Sequence, residues 1–155
     1  MNNLNLENMN EKEKVYRGAI TIFYKRIDGE LVFLVAENSK TGNITLISGA
    51  EEDIDESLES CAQREIEEEL GLLPNQYQLK STNVKHEFVF GSKKPERTGS
   101  KGSYQVFLAD ALKINEVGHT EELKGIKWMT EKEAIDSLSF PDLKEVFKTA
   151  IQEIE

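Results

Sequence analysis

The stretch that decides the fold reads Gly49-Ala50-Glu51-Glu52-Asp53-Ile54-Asp55-Glu56 and, after seven residues, Arg64-Glu65-Ile66-Glu67-Glu68-Glu69-Leu70-Gly71-Leu72. On an α-helix, Glu65, Glu68 and Glu69 stand at i, i+3 and i+4, so their carboxylates gather on one face. Like charges at that spacing weaken a helix by roughly 0.2–0.5 kcal/mol per pair. A hard divalent cation offsets the repulsion, because such ions take carboxylate oxygens and share their remaining positions with substrate phosphates. The ordinary meaning of a charge run is a solvated face, and Glu67, on another side of the wheel, reads that way. Leu58, Cys61, Ala62, Ile66 and Leu70 repeat at helical spacing and predict a helix from about Glu56 to Leu70. Gly71 supplies the residue that ends it, and Pro74 guards against continuation.

The same run resembles the signature of the Nudix hydrolases, which cleave nucleoside diphosphates linked to another moiety. That signature is a glycine, five residues, Glu, seven residues, Arg-Glu, an aliphatic, any residue, Glu-Glu, any residue, Gly and an aliphatic. Glu56, Arg64, Glu65, Ile66, Glu68, Glu69, Gly71 and Leu72 fall in register. The opening glycine is replaced by Ala50, with Gly49 one residue early. Either Ala50 stands for the second of a Gly-Gly pair, or an insertion within Glu51–Asp55 has displaced the glycine.

The resemblance implies an α/β fold: a Nudix-like α/β/α sandwich with a mixed β-sheet flanked by helices, over roughly Val15–Ile154. It implies metal-dependent hydrolysis of a pyrophosphate linkage, with Mg²⁺ or Mn²⁺ as cofactor. Glu68 and Glu69 are then the principal ligands, and Glu65 completes the shell or acts as general base on a metal-bound water. Glu56 orients Arg64 or joins the metal through water. Arg64 pairs with Glu68 or Glu56 and holds the carboxylates at fixed geometry, so the implied catalytic set is Glu65, Glu68 and Arg64. Gly49 or Ala50 offers a backbone carbonyl close to the metal.

Composition bounds the remaining possibilities. A chain of 155 residues is one domain's worth. Residues 1–14, asparagine-rich at the start, read as a poorly ordered tail and residues 15–155 as the domain. Apolar content of 38% with 31% charged residues is that of a soluble globular protein. No apolar run approaches the roughly 20 residues that span a bilayer, and the first ten residues lack the pattern of a secretory signal. A single cysteine, Cys61, excludes an internal disulfide and suits a reducing cytoplasm. The net charge of −10 argues against membranes and against extensive nucleic-acid binding. It leaves room for a small nucleotide-type substrate, because a bound cation reverses the local field. A monomer or a homodimer is expected.

Along the chain, Val15–Lys25 alternates, with Ala19, Thr21, Phe23 and Lys25 on one face and Ile20, Ile22 and Tyr24 on the other. Asp28-Gly29 is a hairpin turn signal. Strands follow at Leu31–Ala36, near Ile44–Ile47, within Tyr77–Phe90, at Tyr104–Ala109 and at Ile126–Met129. Thr130 and Glu133 form a capping box that opens a helix through Leu138, and Pro141 opens a last helix with the stripe Leu143, Val146, Phe147, Ala150 and Ile154.

Further residues are candidates for substrate contact. The segment Gly91–Gly102 carries Lys93, Lys94, Arg97 and Lys101 against only Glu96, a basic patch on an acidic chain that could close over phosphates. The same lysines equally suit a solvated loop. His86 could touch a phosphate or base, although a lone strand histidine is more often structural. Glu121 or Glu122 could join the chemistry from the late loop beside His119. Nucleoside triphosphates and dinucleoside polyphosphates are the favoured substrates, with Ser139-Phe140-Pro141-Asp142-Leu143 resembling that branch. ADP-ribose or a nucleotide sugar, RNA 5′-pyrophosphate hydrolysis and a catalytically silent nucleotide-binding module are the alternatives.

Overall fold

The computed structural model describes residues 15–91, 95–111, 117–119, 121 and 123–155. The expected tail at 1–14 and the candidates Lys93, Lys94 and Glu122 lie outside the described residues. Among the described residues, seven strands and three α-helices follow in the order β1 Val15–Ile27, β2 Glu30–Asn38, β3 Ile44–Thr45, β4 Ile47–Ala50, α1 Leu58–Leu70, β5 Gln78–Val89, β6 Lys101–Asp110, β7 Leu123–Thr130, α2 Glu131–Ser137 and α3 Pro141–Ile151.

All seven strands join one mixed sheet. β1 is its axis. On one side it pairs in parallel with β6 along nearly its whole length. On the other it pairs antiparallel with β4 through Gly18–Thr21 and with β2 through Tyr24–Ile27. β2 also pairs with β7, and β5 closes the far side of β6. The β1–β2 hairpin turns at Asp28 (φ 52°) and Gly29 (φ 83°). Two successive positive φ values match the right-handed twist of the flanking strands, and Asp and Gly tolerate them.

The alternation read in β1 sorts the core into two layers. Phe23 packs with Ile66 and Leu70 of α1, and Ala19 packs with Cys61 and Ala62. Ile20 and Ile22 face the other way, into a cluster with Leu138 after α2 and Leu143 and Phe147 of α3. Phe23, Ile66 and Phe147 have no exposed surface. Each such side chain stabilises the fold by about 1.5–3 kcal/mol relative to exposure. The result is a sheet with α1 on one face and α2 and α3 on the other.

Three expectations shift in detail. The helix α1 starts at Leu58 rather than Glu56, because the Ser57 hydroxyl accepts the Ser60 N–H and takes the cap position. Glu56 therefore lies in the loop before the helix. The strand expected near Ile44–Ile47 divides: β3 pairs with β2, whereas β4 moves over to β1. Tyr77–Phe90, which reads as one or two strands, holds the single strand Gln78–Val89, with an irregularity between Ser81 and Lys85. There the Gln105 side-chain amide donates to Thr82 O at 2.6 Å, and the Thr82 hydroxyl donates to Val106 O at 2.7 Å. The Gly71 stop of α1 and the capping box at Thr130 form as read.

Candidate active site

The acidic face of α1 is organised by Arg64, whose guanidinium reaches five groups. One edge faces the loop before the helix. Nε donates to Asp55 Oδ1 at 2.9 Å, and Nη2 donates to Asp55 Oδ2 and to Ala50 O, each at 2.9 Å. The other edge faces the helix: Nη1 lies 3.0 Å from Glu65 Oε1, 3.2 Å from Glu68 Oε1 and 2.7 Å from Glu52 Oε2. Exposure grades across the network, and Glu65, at 13%, belongs with its buried part. Asp55 is 3% exposed and Arg64 16%, whereas Glu68 is 50% and Glu52 60% exposed. The Asp55–Arg64 pair is the bidentate part of this network and includes its most buried carboxylate, where charge-assisted bonds count for most.

The electrostatics follow from that burial. The hydrogen bond from Arg64 holds the Asp55 carboxyl below its ordinary range, and Asp55 in turn raises Arg64. Burial, with Asp55 adding to it, pushes the Cys61 thiol up to about 12. Cys61 Sγ sits 3.7 Å from Gly49 O and 4.0 Å from Arg64 Nη2. It is a packed core residue with no thiolate character at neutral pH.

Gly49 and Ala50 answer different needs. A Cβ on Gly49 would overlap the Glu65 carboxylate. Glu65 thus occupies the space that any side chain at 49 would take. The Ala50 methyl packs instead against the cluster of Ile20 and Tyr104, on the opposite face. No non-glycine residue near this loop has positive φ, since among the described residues only Asp28 does. Gly18, paired with Ala50, is confined as well: a Cβ there would meet Gly49 O and the Tyr104 ring, at 2.7 Å from its Cε1.

Glu65, Glu68 and Glu69 project from the helix as expected, with Glu69 half-buried and Glu67 turned to solvent. Among the described residues, no three Asp, Glu, His or Cys side chains already converge into a coordination sphere. Glu65 and Glu68 are turned onto Nη1 instead. The donor set, carboxylates beside a glycine notch and backbone carbonyls, fits a hard divalent cation. Glu65, Glu68 and Glu69 would hold it. Glu56 is exposed in the loop and does not touch Arg64; Asp55 takes that role.

Across the sheet from these carboxylates lies an aromatic trough. Two adjoining cavities of about 160 and 350 Å³ share His86, Phe88, Phe140 and Leu143 as walls. His86 stacks on Phe88 with centroids 5.0 Å apart, and Phe88 meets Tyr104 edge-on at 5.0 Å. His86 Nε2 lies 2.8 Å from Asp142 Oδ2, which holds that carboxyl below its ordinary range. The two regions meet at Tyr104: burial raises its hydroxyl to about 12, with Arg97 lowering it and Glu65 raising it. Arg97 lies over Tyr16 at 4.6 Å and over Phe90 at 5.5 Å. Lys101 is exposed at the start of β6 and lines a cleft of about 430 Å³ with Val15 and Glu87. Glu121 and His119 are exposed.

The family model described as NUDIX domain matches residues 15–150. The chain belongs to the Nudix hydrolase family. Its assignment as a pyrophosphohydrolase follows from that membership. Solved structures share the Nudix fold at low identity. A C. elegans Ap4A hydrolase in a binary complex is 20% identical, with a TM-score of 0.70, covering 88% of this chain and 98% of that one. The E. coli dihydroneopterin triphosphate pyrophosphohydrolase is 17% identical with a TM-score of 0.74, over 90% and 99%. The NUDIX domain of Shewanella oneidensis NrtR, complexed with ADP ribose, is 15% identical with a TM-score of 0.72, over 100% and 99%. No protein of curated function matches the chain by sequence. Among the described residues no helix is long and apolar enough to cross a membrane.

Within this Nudix fold, Asp55, Glu52, Gly18 and the trough residues Phe88, Phe140 and Asp142 were not among the expected site residues. Ser57 was the available signal for Asp55, since a cap there places the preceding residues in a loop that can fold back on α1. Of the trough only His86 was a candidate, because its walls come from β1, β3, β4, β5, β6 and the start of α3.

Proposed function

We propose that this Nudix hydrolase cleaves a pyrophosphate linkage in a nucleoside triphosphate or dinucleoside polyphosphate, using Mg²⁺ or Mn²⁺. The observation that carries the reading is the convergence of Glu65, Glu68 and Arg64 beside the Gly49 notch. Fixed carboxylates next to a backbone that can approach closely suit the work of neutralising and orienting phosphates. The bound cation would neutralise phosphate charge and acidify the attacking water. Glu65, held by Arg64 and pressed against Gly49, would take a proton from the attacking water, and Glu68 and Glu69 would hold the cation that meets the phosphates. The aromatic trough supports a nucleotide rather than inorganic pyrophosphate, since bases stack on aromatic rings at about 1–3 kcal/mol each. Arg97 and Lys101 are the described cations of the basic segment that would meet the outer phosphates.

A silent nucleotide-binding module is the reading from another class. Its support was Ala50 at the opening glycine position, and the direction of that methyl, away from Glu65, weakens it. Formation of cleaved products, a nucleoside monophosphate with pyrophosphate or a pair of nucleotides, decides between the readings. A panel of nucleoside triphosphates, dinucleoside polyphosphates, ADP-ribose, nucleotide sugars and 5′-triphosphorylated RNA is assayed with Mg²⁺ and with Mn²⁺. Metal-dependent cleavage of the first two groups, at a kcat/KM above the others, is expected. Binding without cleavage on every substrate would establish the silent module.

A further inference from the structure

Counted back from Arg64, Asp55 stands one residue before the acidic position that the Nudix signature fixes, yet both its oxygens are engaged. Oδ1 accepts from Arg64 Nε at 2.9 Å; Oδ2 accepts from Arg64 Nη2 at 2.9 Å and from the Glu52 N–H at 2.8 Å. Its own N–H donates to Glu52 O at 2.9 Å, so the Glu52–Asp55 turn is closed twice. We propose that Asp55 is a positioning residue for the hydrolysis proposed above, acting on the carboxylates through Arg64 in the place that the signature gives to Glu56.

The geometry divides the guanidinium into a fixed edge and an exchangeable edge. Nε and Nη2 are held by Asp55 and by Ala50 O. Nη1 alone faces Glu65, Glu68 and Glu52. A planar fork anchored along one edge leaves the other edge a single direction in which to point. Without that anchor, Arg64 and Glu68 form an ordinary i, i+4 pair on a half-exposed face, worth little and free to rotate. The anchor also matters when a cation arrives. A cation held by Glu65 and Glu68 would compete with Nη1 for these carboxylates, and an untethered guanidinium would follow them. Asp55 keeps that positive charge back. Asp53, exposed in the same turn, carries the same charge without touching Arg64 and serves as its control.

The test measures Mn²⁺ affinity by electron paramagnetic resonance in the parent, Asp55→Asn and Asp53→Asn, with no substrate present. Outer partners of metal ligands typically tune affinity by roughly 10–100-fold, and Asp55→Asn should raise the Kd within that range while Asp53→Asn changes it by less than about twofold. Arg64→Lys keeps the charge and loses the fork, so it should show a similar loss, and the double variant should show no more than either single change. Cys61, the chain's one cysteine, is buried against Arg64 and Gly49 and supplies an independent reading. Its alkylation should accelerate in Asp55→Asn and stay slow in Asp53→Asn. Equal Mn²⁺ affinity in Asp55→Asn and Asp53→Asn, or additive losses in the double variant, would overturn the proposal. If Asp55→Asn does not fold, Arg64→Lys decides alone, and parent-like Mn²⁺ affinity in that variant overturns it. A parent that binds Mn²⁺ through this anchor yet hydrolyses no nucleotide would refute the hydrolysis reading while leaving the positioning role intact.

Discussion

The acidic face of α1 and the aromatic trough across the sheet make opposite kinds of site. The first is drawn almost entirely from residues 49–69, and its members constrain one another through charge and hydrogen bonds. The second is assembled from β1, β3, β4, β5, β6 and the start of α3, and its members are held by ring contacts and one His–Asp pair. Local composition can announce the first kind. The second exists only once distant strands have found their register. The difference also separates roles: one region is built for hard cations and phosphate, the other for a flat, polarisable group.

Breaking the first region should have the largest effect. Glu68→Gln and Glu69→Gln each remove an anionic donor from a face that contributes little core volume. Each should lower kcat/KM on the order of 100-fold or more, above the roughly 10–100-fold typical of outer partners. Circular dichroism and thermal melting should stay close to the parent. Parent-like turnover in both variants at saturating Mg²⁺ would remove these residues from the site.

Gly49→Ala tests the notch itself. The added methyl must displace Glu65 or β4, and misplacement of a reacting group by about 1 Å can cost up to 10²-fold. A loss of about 10–100-fold is expected, with weaker Mn²⁺ binding. Unchanged kinetics would mean that Glu65 can move away freely.

The trough is tested by Phe140→Ala. Loss of one stacking wall should raise KM for nucleotides about tenfold and leave kcat little altered. A fall in kcat with KM unchanged would place the base elsewhere.

The pH dependence of stability distinguishes the buried pair from the solvated glutamates. Arg64 depresses the Asp55 carboxyl, so the pair stabilises the fold above the ordinary carboxylate range, and that contribution is lost as pH falls through the depressed value. In the metal-free protein, Asp55→Asn should lower Tm near pH 7, with a cost of about 1.5–3 kcal/mol for a hydrogen bond to a charged partner. The gap should narrow in acid, below roughly pH 3.9. A gap that persists unchanged into acid would exclude the charge as its source.

The smallest effect is expected from Ala50→Gly, a loss of about 0.5–1 kcal/mol in Tm-derived stability from added backbone freedom. Turnover should hardly change, since the Ala50 contribution to Arg64 is its carbonyl. A gain in metal affinity would show that the methyl does crowd the site.

The two regions also explain what the sequence could disclose. Helical spacing of Ile66 and Leu70, the Gly71 stop and the alternation of Ala19–Phe23 were readable, because each rests on local periodicity or backbone conformation. The partner of Arg64 was not. Asp55 and Glu56 are adjacent loop carboxylates, and only the fold-back of the Glu52–Asp55 turn decides which of them is buried. The direction of the Ala50 methyl was hidden for a related reason, since it depends on β4 joining β1 rather than continuing along β2. Phe88, Tyr104 and Phe140 read individually as core or surface residues, and their common wall is a tertiary fact.

The parallel ladder of β1 with β6 has a consequence for how the protein is made. Residues 15–24 must wait for residues 101–110 before that side of the first strand is covered. Pairing across such a separation carries a large loop-closure entropy and folds slowly compared with local hairpins. The helix bearing the glutamates emerges in between and packs on a strand that still lacks one neighbour. During synthesis the apolar flank of β1 therefore stays open until most of the chain has left the ribosome. That interval is when a chaperone, or a second nascent chain, would find its edge.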